Sequence, residues 1–121
     1  MRRPFALVLL AALAGCSSIH STVKIESGNQ FILGGEQLGP FTAELLNEGP
    51  ATVTVLEVTS RGDTLLVASL DAEQSARASF STGSAAVLAN RSREDASVRA
   101  VVRGDTNLGM RYVPIGETAR E

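Results

Sequence analysis

The chain has few of the residues on which metal and redox chemistry usually depend. It contains one cysteine, Cys16, one histidine, His20, and no tryptophan. A lone cysteine cannot form an internal disulfide, and zinc sites usually take three or four Cys, His or carboxylate ligands. One histidine is also too few for a multi-histidine metal site, and no second thiol is present to help it. The sequence therefore predicts no metal site and no cofactor beyond a covalent modification of Cys16.

Aromatic residues are also scarce, which restricts both the core and the possible ligands. The four beyond the first fifteen residues are Phe31, Phe41, Phe80 and Tyr112. The core must then be built mainly from Val, Leu, Ile and Ala. A shortage of aromatic platforms argues against sugar binding, and the scattered carboxylates show no spacing typical of a glycosidase pair. We predict that the protein is not an enzyme and assign no catalytic residue.

Charge of positive sign is low as well. Without Arg2 and Arg3, the chain has nine basic side chains against thirteen acidic ones, a net charge of −4. Nucleic-acid-binding domains usually carry a basic face, so we expect no nucleic-acid partner. The length of 121 residues suits one domain rather than two.

The first sixteen residues have the organisation of an export signal. Arg2 and Arg3 precede an unbroken apolar segment, Phe5–Ala14, of ten residues. That is about half of the ~20 residues that a membrane-spanning helix needs, and it fits the apolar region of a signal peptide. The segment ends in Leu13-Ala14-Gly15-Cys16. This sequence resembles the lipobox of bacterial lipoproteins.

The resemblance implies a sequence of processing steps. Leu13, Ala14 and Gly15 would be read by the signal peptidase, and Cys16 would carry a thioether-linked diacylglycerol and an N-acyl chain. Two or more acyl chains anchor a protein stably to a membrane. Serine at position 17, rather than aspartate, favours the outer membrane if the host is Gram-negative. The alternative is an ordinary secretory signal with a chance cysteine.

The domain organisation follows from these features. We predict a cleaved helical signal peptide over residues 1–15, a lipidated tether over 16–22 that includes His20, a β domain over 23–114 and a disordered tail over 115–121. The β domain is predicted from short segments in which apolar and polar residues alternate, separated by Gly, Asn, Asp, Ser and Pro. The predicted strands are Val23–Ser27, Gln30–Leu33, Phe41–Asn47, Thr52–Ser60, Thr64–Leu70, Ser75–Phe80, Ala85–Asn90, Ser97–Arg103 and Leu108–Val113.

This pattern predicts an all-β fold, an antiparallel β-sandwich, with a small β-barrel as the alternative. The segment Leu45–Val58, with an Asn-x-Gly turn followed by alternating valines, resembles the immunoglobulin-like domains of bacterial envelope proteins. The resemblance implies the architecture only, because the Cys…Trp…Cys core of true immunoglobulin domains is absent.

The last two predicted strands suggest a hairpin. Placing Val98, Ala100 and Val102 on the core side, together with Leu108, Met110 and Tyr112, requires one particular register. In that register Ala100 lies opposite Met110, and Arg99 lies opposite Arg111. Like charges in such positions destabilise a sheet, so the sequence predicts a local conflict there.

The arginines are the candidate partner surface. Arg99, Arg103 and Arg111 are predicted to face outward, where they would attract an acidic partner or lipid phosphates. The alternative is a solvated sheet face, neutralised by Glu44, Glu57 or Glu94. Arg-Gly-Asp occurs twice, at Arg61–Asp63 and Arg103–Asp105; it is either an adhesion motif or ordinary turn chemistry.

The predicted function is that of a lipid-anchored module of the cell envelope, which binds or scaffolds another envelope protein without catalysis. The alternative is a carrier of a small molecule or lipid in a pocket between the sheets, and a hydrolase ranks last. An apolar cavity of a few hundred Å³ would favour the carrier, and a filled core of Val and Leu would favour the binding module.

Overall fold

The computed structural model describes residues 18–116, which form nine β-strands and no helix. The predicted signal peptide, the lipobox with Cys16, and Ser17 lie outside the described residues, as do residues 117–121 of the predicted tail. The strands are β1 (Ser18–Ile25), β2 (Asn29–Gly34), β3 (Phe41–Pro50), β4 (Val53–Val58), β5 (Thr64–Leu70), β6 (Ser75–Phe80), β7 (Ala85–Ala89), β8 (Ala96–Gly104) and β9 (Met110–Pro114).

Each predicted strand corresponds to one of these nine, but the first begins earlier than predicted. β1 starts at Ser18, five residues before Val23, and pairs with β8 from Ser18 opposite Arg103 onwards. Residues 18–22 were predicted as part of a tether and are instead strand, because their alternation matches that of β8. His20 accordingly lies on β1, exposed and opposite Val101.

The strands form two antiparallel sheets that pack as a sandwich. The four-stranded sheet has the order β1-β8-β3-β6 and the five-stranded sheet the order β5-β4-β7-β2-β9. In the four-stranded sheet β1 pairs with β8 and β3 pairs with β6. In the five-stranded sheet β2 pairs with β7 and β4 pairs with β5. This is the winding of a double-sheet jelly roll, to which β9 adds one edge strand.

The immunoglobulin arrangement is therefore not the one observed. In immunoglobulin domains the first two strands are neighbours in one sheet, whereas here β1 and β2 lie in different sheets. The described strands form two separate sheets and not one closed barrel. The reason lies in the connections: every connection between consecutive strands, except the one between β4 and β5, carries the chain across to the opposite sheet.

The core between the sheets is filled by aliphatic residues and three phenylalanines. Phe41 and Phe80 stack with ring centroids 4.9 Å apart, at an interplanar angle of 16°. Phe31 faces them from the other sheet within the same cluster. The small residues of β8 and β3 alternate with these larger side chains, so that the layers interdigitate. Further members of the cluster are Ile25, Leu33, Ala43, Leu45, Val53, Val55, Leu70, Leu88, Val98, Ala100 and Val102.

A second, smaller apolar cluster lies on the outer face of the five-stranded sheet. Directly opposed residues form one row across all five strands. The row runs Leu66, Leu56, Val87, Ile32, Arg111. Its central members, Val87 and Ile32, are buried. β7 and β2 therefore carry apolar side chains on both faces, which explains why they read as continuous apolar runs rather than as alternation.

The predicted hairpin between the last two strands is wrong. β8 lies inside the four-stranded sheet between β1 and β3, while β9 is the edge of the other sheet, paired with β2. Arg99 is opposite Thr22 and Leu46, and Arg111 is opposite Ile32. The segment between the strands crosses from one sheet to the other instead of turning back, so the predicted repulsion between the two arginines does not exist.

The two ends of the sandwich carry different loops. Ser18 and Gly104 lie at the same end as Phe41 and Phe80, and we call this the Ser18 end. Its loops are residues 35–40, 59–63, 81–84 and 105–109. At the opposite end, the Asn90 end, lie residues 26–28, 51–52, 71–74 and 90–95.

Candidate functional site

Among residues 18–116, no group of three or more His, Cys, Asp or Glu side chains is arranged to hold a metal ion. Every buried side-chain polar atom in this range has a hydrogen-bond partner. The surfaces that remain to be weighed are the arginine face, a cavity at the Ser18 end and the exposed apolar side chains.

The arginine face is divided between two sheets. Arg99 and Arg103 lie on the outer face of the four-stranded sheet, where Arg99 Nη2 donates to Glu48 Oε2 at 2.8 Å. Arg103 is 3.4 Å from the carboxylate of Glu44. Arg111 lies on the five-stranded sheet, so the three predicted residues do not form one surface.

Three ion pairs on the outer face of the four-stranded sheet have a glutamate of β3 as their acidic partner. Glu44 on β3 lies between Arg77 of β6, at 3.7 Å, and Arg103 of β8. The expected neutralisation by Glu44 is thus observed, and Glu48 is a second acidic partner that the alternation did not reveal. A groove of about 450 Å³ follows this face, with Leu46 and Val101 among its lining residues. Its lining combines charged side chains that form ion pairs with half-buried apolar side chains.

A cavity of about 490 Å³ lies at the Ser18 end. Glycines form much of its wall, and Gly34 and Gly35 both have positive φ, at 83° and 118°. The charged groups at the wall are Glu36 and Arg111. The lining is mostly backbone and small polar groups, which differs from the apolar inter-sheet pocket that a lipid carrier needs.

Gln37 shapes this end of the molecule, and sequence reasoning gave no sign of it. Its side chain is buried and donates from Nε2 to the carbonyl oxygens of Ser81 and Ser84, at 3.2 and 2.9 Å. Its Oε1 accepts from the backbone N–H of Gly35 at 2.8 Å. One amide therefore ties loop 35–40 to loop 81–84, which links the two sheets at their Ser18 ends.

The two Arg-Gly-Asp segments lie at this same end but differ in their environment. Arg61–Asp63 forms the tight turn between β4 and β5, as predicted, with Gly62 at φ 94°. In Arg103–Asp105 the aspartate accepts hydrogen bonds from the backbone N–H groups of Gly39 and Asn107, at 2.9 and 3.0 Å. The Asp105 carboxylate thus stabilises loops, and the turn interpretation accounts for both segments.

Exposed large apolar side chains are concentrated at the Ser18 end. Leu38, at the tip of loop 35–40, is 93% exposed, and Leu66 near the start of β5 is 70% exposed. Leu65, the second residue of β5, and Met110, the first residue of β9, are each about half exposed. Tyr112 is also exposed, but its hydroxyl accepts from the backbone N–H of Glu26, which belongs to the Asn90 end. The strand pattern missed Leu38 because a single leucine between glycines carries no periodicity.

The described residues contain no helix long and apolar enough to span a bilayer. The predicted anchor and sorting residues, Leu13, Ala14, Gly15, Cys16 and Ser17, lie directly before the described part of the chain. Ser18, the first described residue, is already part of a paired strand, opposite Arg103.

Comparison with known proteins gives distant structural matches. No protein-family model matches the chain, and no curated protein matches its sequence. Among solved structures, the Yersinia pseudotuberculosis-derived mitogen has a TM-score of 0.45 and 14% identity, with 78% of this chain and 95% of the mitogen covered. RmlC from Streptococcus suis, solved in complex with dTDP-D-xylose, has a TM-score of 0.46 and 16% identity, with 77% of this chain and 46% of RmlC covered. Similarity at this level carries no information on activity or ligands.

Proposed function

We propose that this protein is a lipid-anchored module of the bacterial cell envelope, cut before Cys16 and held to a membrane through that residue. The observation that carries the proposal is Leu13-Ala14-Gly15-Cys16 at the end of a short apolar segment with basic residues before it. Small residues next to the cut allow close approach by a peptidase, and the thiol is the nucleophile that accepts diacylglycerol. The mature chain is a β-sandwich that binds or scaffolds another envelope protein and performs no catalysis.

The packing of the sandwich supports a binding module over a carrier. The space between the sheets is occupied by one continuous cluster of side chains, with the stacked pair Phe41 and Phe80 at the Ser18 end. The two described cavities are lined by loops and by an outer sheet face instead. A lipid carrier would need apolar space inside the sandwich.

The outer face of the four-stranded sheet is the proposed contact surface for the protein partner. It offers Leu46 and Val101 as apolar contacts and Arg99 as a charge that is more than half exposed despite its pair with Glu48. Arginine is enriched at protein interfaces because its guanidinium bonds in a fixed planar geometry.

Lipid labelling tests the anchor directly. Cells fed an alkyne-bearing fatty acid should label the wild-type protein, and Cys16→Ala should abolish the label and accumulate uncut precursor. Ser18→Ala is the matched control, because it lies two residues away and has no part in the motif. Normal processing and membrane retention of the Cys16→Ala protein would show that the anchor proposal is wrong.

The partner surface is tested separately. Chemical cross-linking in intact cells should give a discrete adduct with the wild-type protein, which Arg99→Glu reduces strongly. Arg91→Glu, with the same charge change at the Asn90 end, serves as control. Equal cross-linking by both variants would exclude this face.

A further inference from the structure

We propose that the Ser18 end of the sandwich is in direct contact with the lipid bilayer, with Leu38 inserted among the lipids. This inference rests on the proposed lipid anchor at Cys16 and adds an orientation to it. It commits to the bilayer that holds the anchor as the occupant of the exposed apolar end.

The connection between Cys16 and the first described strand is short. One residue, Ser17, separates Cys16 from Ser18, so the Cα atoms of Cys16 and Ser18 lie at most ~7 Å apart. Ser18 is the first residue of a strand whose pairing is regular up to that point, opposite Arg103. A tether of the predicted length, to Thr22, would leave the domain free to tumble. A strand that begins at Ser18 instead holds the end loops within about one headgroup layer of the acyl chains.

The exposed apolar side chains are grouped at the same end as Ser18. Of the five large hydrophobic residues exposed in the described range, four lie at the Ser18 end. Leu38 is at a loop tip and Met110 is the first residue of β9. Leu65 and Leu66 are the second and third residues of β5, which places them within ~7 Å of the strand start at ~3.4 Å per residue. Interfacial segments bury their apolar groups about 5–10 Å deep, so all four are within reach of the same layer.

The loop that carries Leu38 is fixed on both sides of this residue. Gln37, the preceding residue, is buried and hydrogen-bonded to loop 81–84, and the N–H of Gly39, the next residue, is bonded to Asp105. Both neighbours are therefore held to the sandwich, and the leucine between them is directed outward with 93% exposure. Fixed loop ends lower the entropy lost when this side chain is immobilised in lipid.

Tryptophan fluorescence gives the decisive test, because the chain contains no tryptophan of its own. The lipidated protein is purified as the Leu38→Trp variant and reconstituted into phosphatidylethanolamine–phosphatidylglycerol vesicles whose acyl chains are brominated. The matched control is Arg91→Trp, exposed at the Asn90 end. Bromine quenches only on contact, so L38W should lose most of its emission and shift to the blue, while R91W should be unaffected.

Each other outcome overturns the proposal in a recognisable way. Lipid label on Cys16 with no quenching of either variant, or equal quenching of both, would retain the anchor and exclude this orientation. Absence of the lipid label would remove the proposed function and the inference together. A blue shift of L38W that depends on protein concentration without lipid would assign the apolar end to a second copy of the chain.

A second variant measures the contribution of the leucine without an added aromatic ring. Leu38→Ser should accelerate transfer of the lipidated protein between vesicles about tenfold, since a buried leucine side chain is worth roughly that factor or more. Because the position is exposed, the substitution should leave the fold intact, and unchanged β-type circular dichroism checks this. An unchanged transfer rate would contradict insertion.

Discussion

Asn47 and Asn90 make equivalent sets of three hydrogen bonds at two of the crossings between the sheets. Each side-chain Oδ1 accepts from the backbone N–H two residues further on, that of Gly49 at 2.8 Å and of Ser92 at 3.0 Å. Each Nδ2 donates to the carbonyl oxygen four residues further on, in Ala51 and Glu94, at 2.7 Å in both cases.

The second bond of each Nδ2 reaches the last residue of an edge strand. Asn47 binds the carbonyl oxygen of Leu70 at the end of β5, and Asn90 binds that of Ile25 at the end of β1. Both asparagines have no exposed surface. Each one therefore closes a short connection and holds the neighbouring edge strand in place, with both amide hydrogens and the carbonyl oxygen bonded inside the protein.

Replacement of either asparagine should destabilise the fold strongly. Asn47→Ala or Asn90→Ala leaves buried carbonyl groups without donors, and we expect each to lower the free energy of unfolding by about 2–4 kcal/mol. The exposed Asn107 supplies the control, with a change within ~0.5 kcal/mol on replacement by alanine. Urea denaturation measures all three. A loss below 1 kcal/mol at both sites would mean that water replaces the amide without cost.

Gly28 and Gly49 separate backbone strain from steric overlap, because both have φ 81°. A Cβ at Gly28 meets no atom within 4 Å, whereas one at Gly49 would lie 2.7 Å from Cβ of Ala72. Gly28→Ala should then cost about 1–2 kcal/mol, the price of a left-handed alanine. Gly49→Ala should cost at least ~1 kcal/mol more, from overpacking. Thermal or urea unfolding of both variants gives the difference, and equal losses would contradict the overlap.

Glu44 should contribute only modestly and in a salt-dependent way. It faces Arg77 and Arg103, but all three side chains are substantially exposed. Glu44→Gln is expected to lower the free energy of unfolding by at most ~1 kcal/mol at low ionic strength. The difference should vanish near 1 M salt, where screening extends over about 3 Å. The exposed Glu36→Gln is the control. A loss that persists at high salt would show that the carboxylate acts through packing rather than charge.

Sorting is predicted from Ser17, given a Gram-negative host. Ser17→Asp should move the protein from the outer to the inner membrane, since the residue after the lipidated cysteine is read during transfer. Membrane fractionation measures the distribution, and Ser17→Thr is the conservative control. Wild-type protein found in the inner membrane would contradict the predicted location.

Strand positions were predictable because alternation is a local property. The limits of β5 and β6 agree with those predicted, and Val98, Ala100 and Val102 face the core as expected. The same alternation placed Met110 and Tyr112 inward, yet both are about half exposed. Their partners Leu33 and Phe31 do face the core. β9, however, is an edge strand, and the rest of the protein covers its side chains only in part.

The site was less predictable than the strands. Glu48 belongs to a bulged segment of β3, where the register with β8 shifts between Asn47 and Gly49. Such a shift breaks the two-residue period, so alternation cannot tell which way the carboxylate points. Leu38, Leu65, Leu66 and Met110 come from three separate segments of the chain. Their grouping at one end therefore cannot be predicted from the pattern of any single segment.

The sequence by itself determined that the chain forms short strands, and where most of them begin and end. It also determined which side chains of each strand share a face, because that depends only on the two-residue period. Tertiary structure decided which strand lies beside which: β8 and β9 are consecutive in the chain but occupy different sheets. Pairing depends on how connections cross between sheets, and at two of these crossings a buried asparagine, Asn47 or Asn90, stabilises the path through carbonyl groups of distant strands.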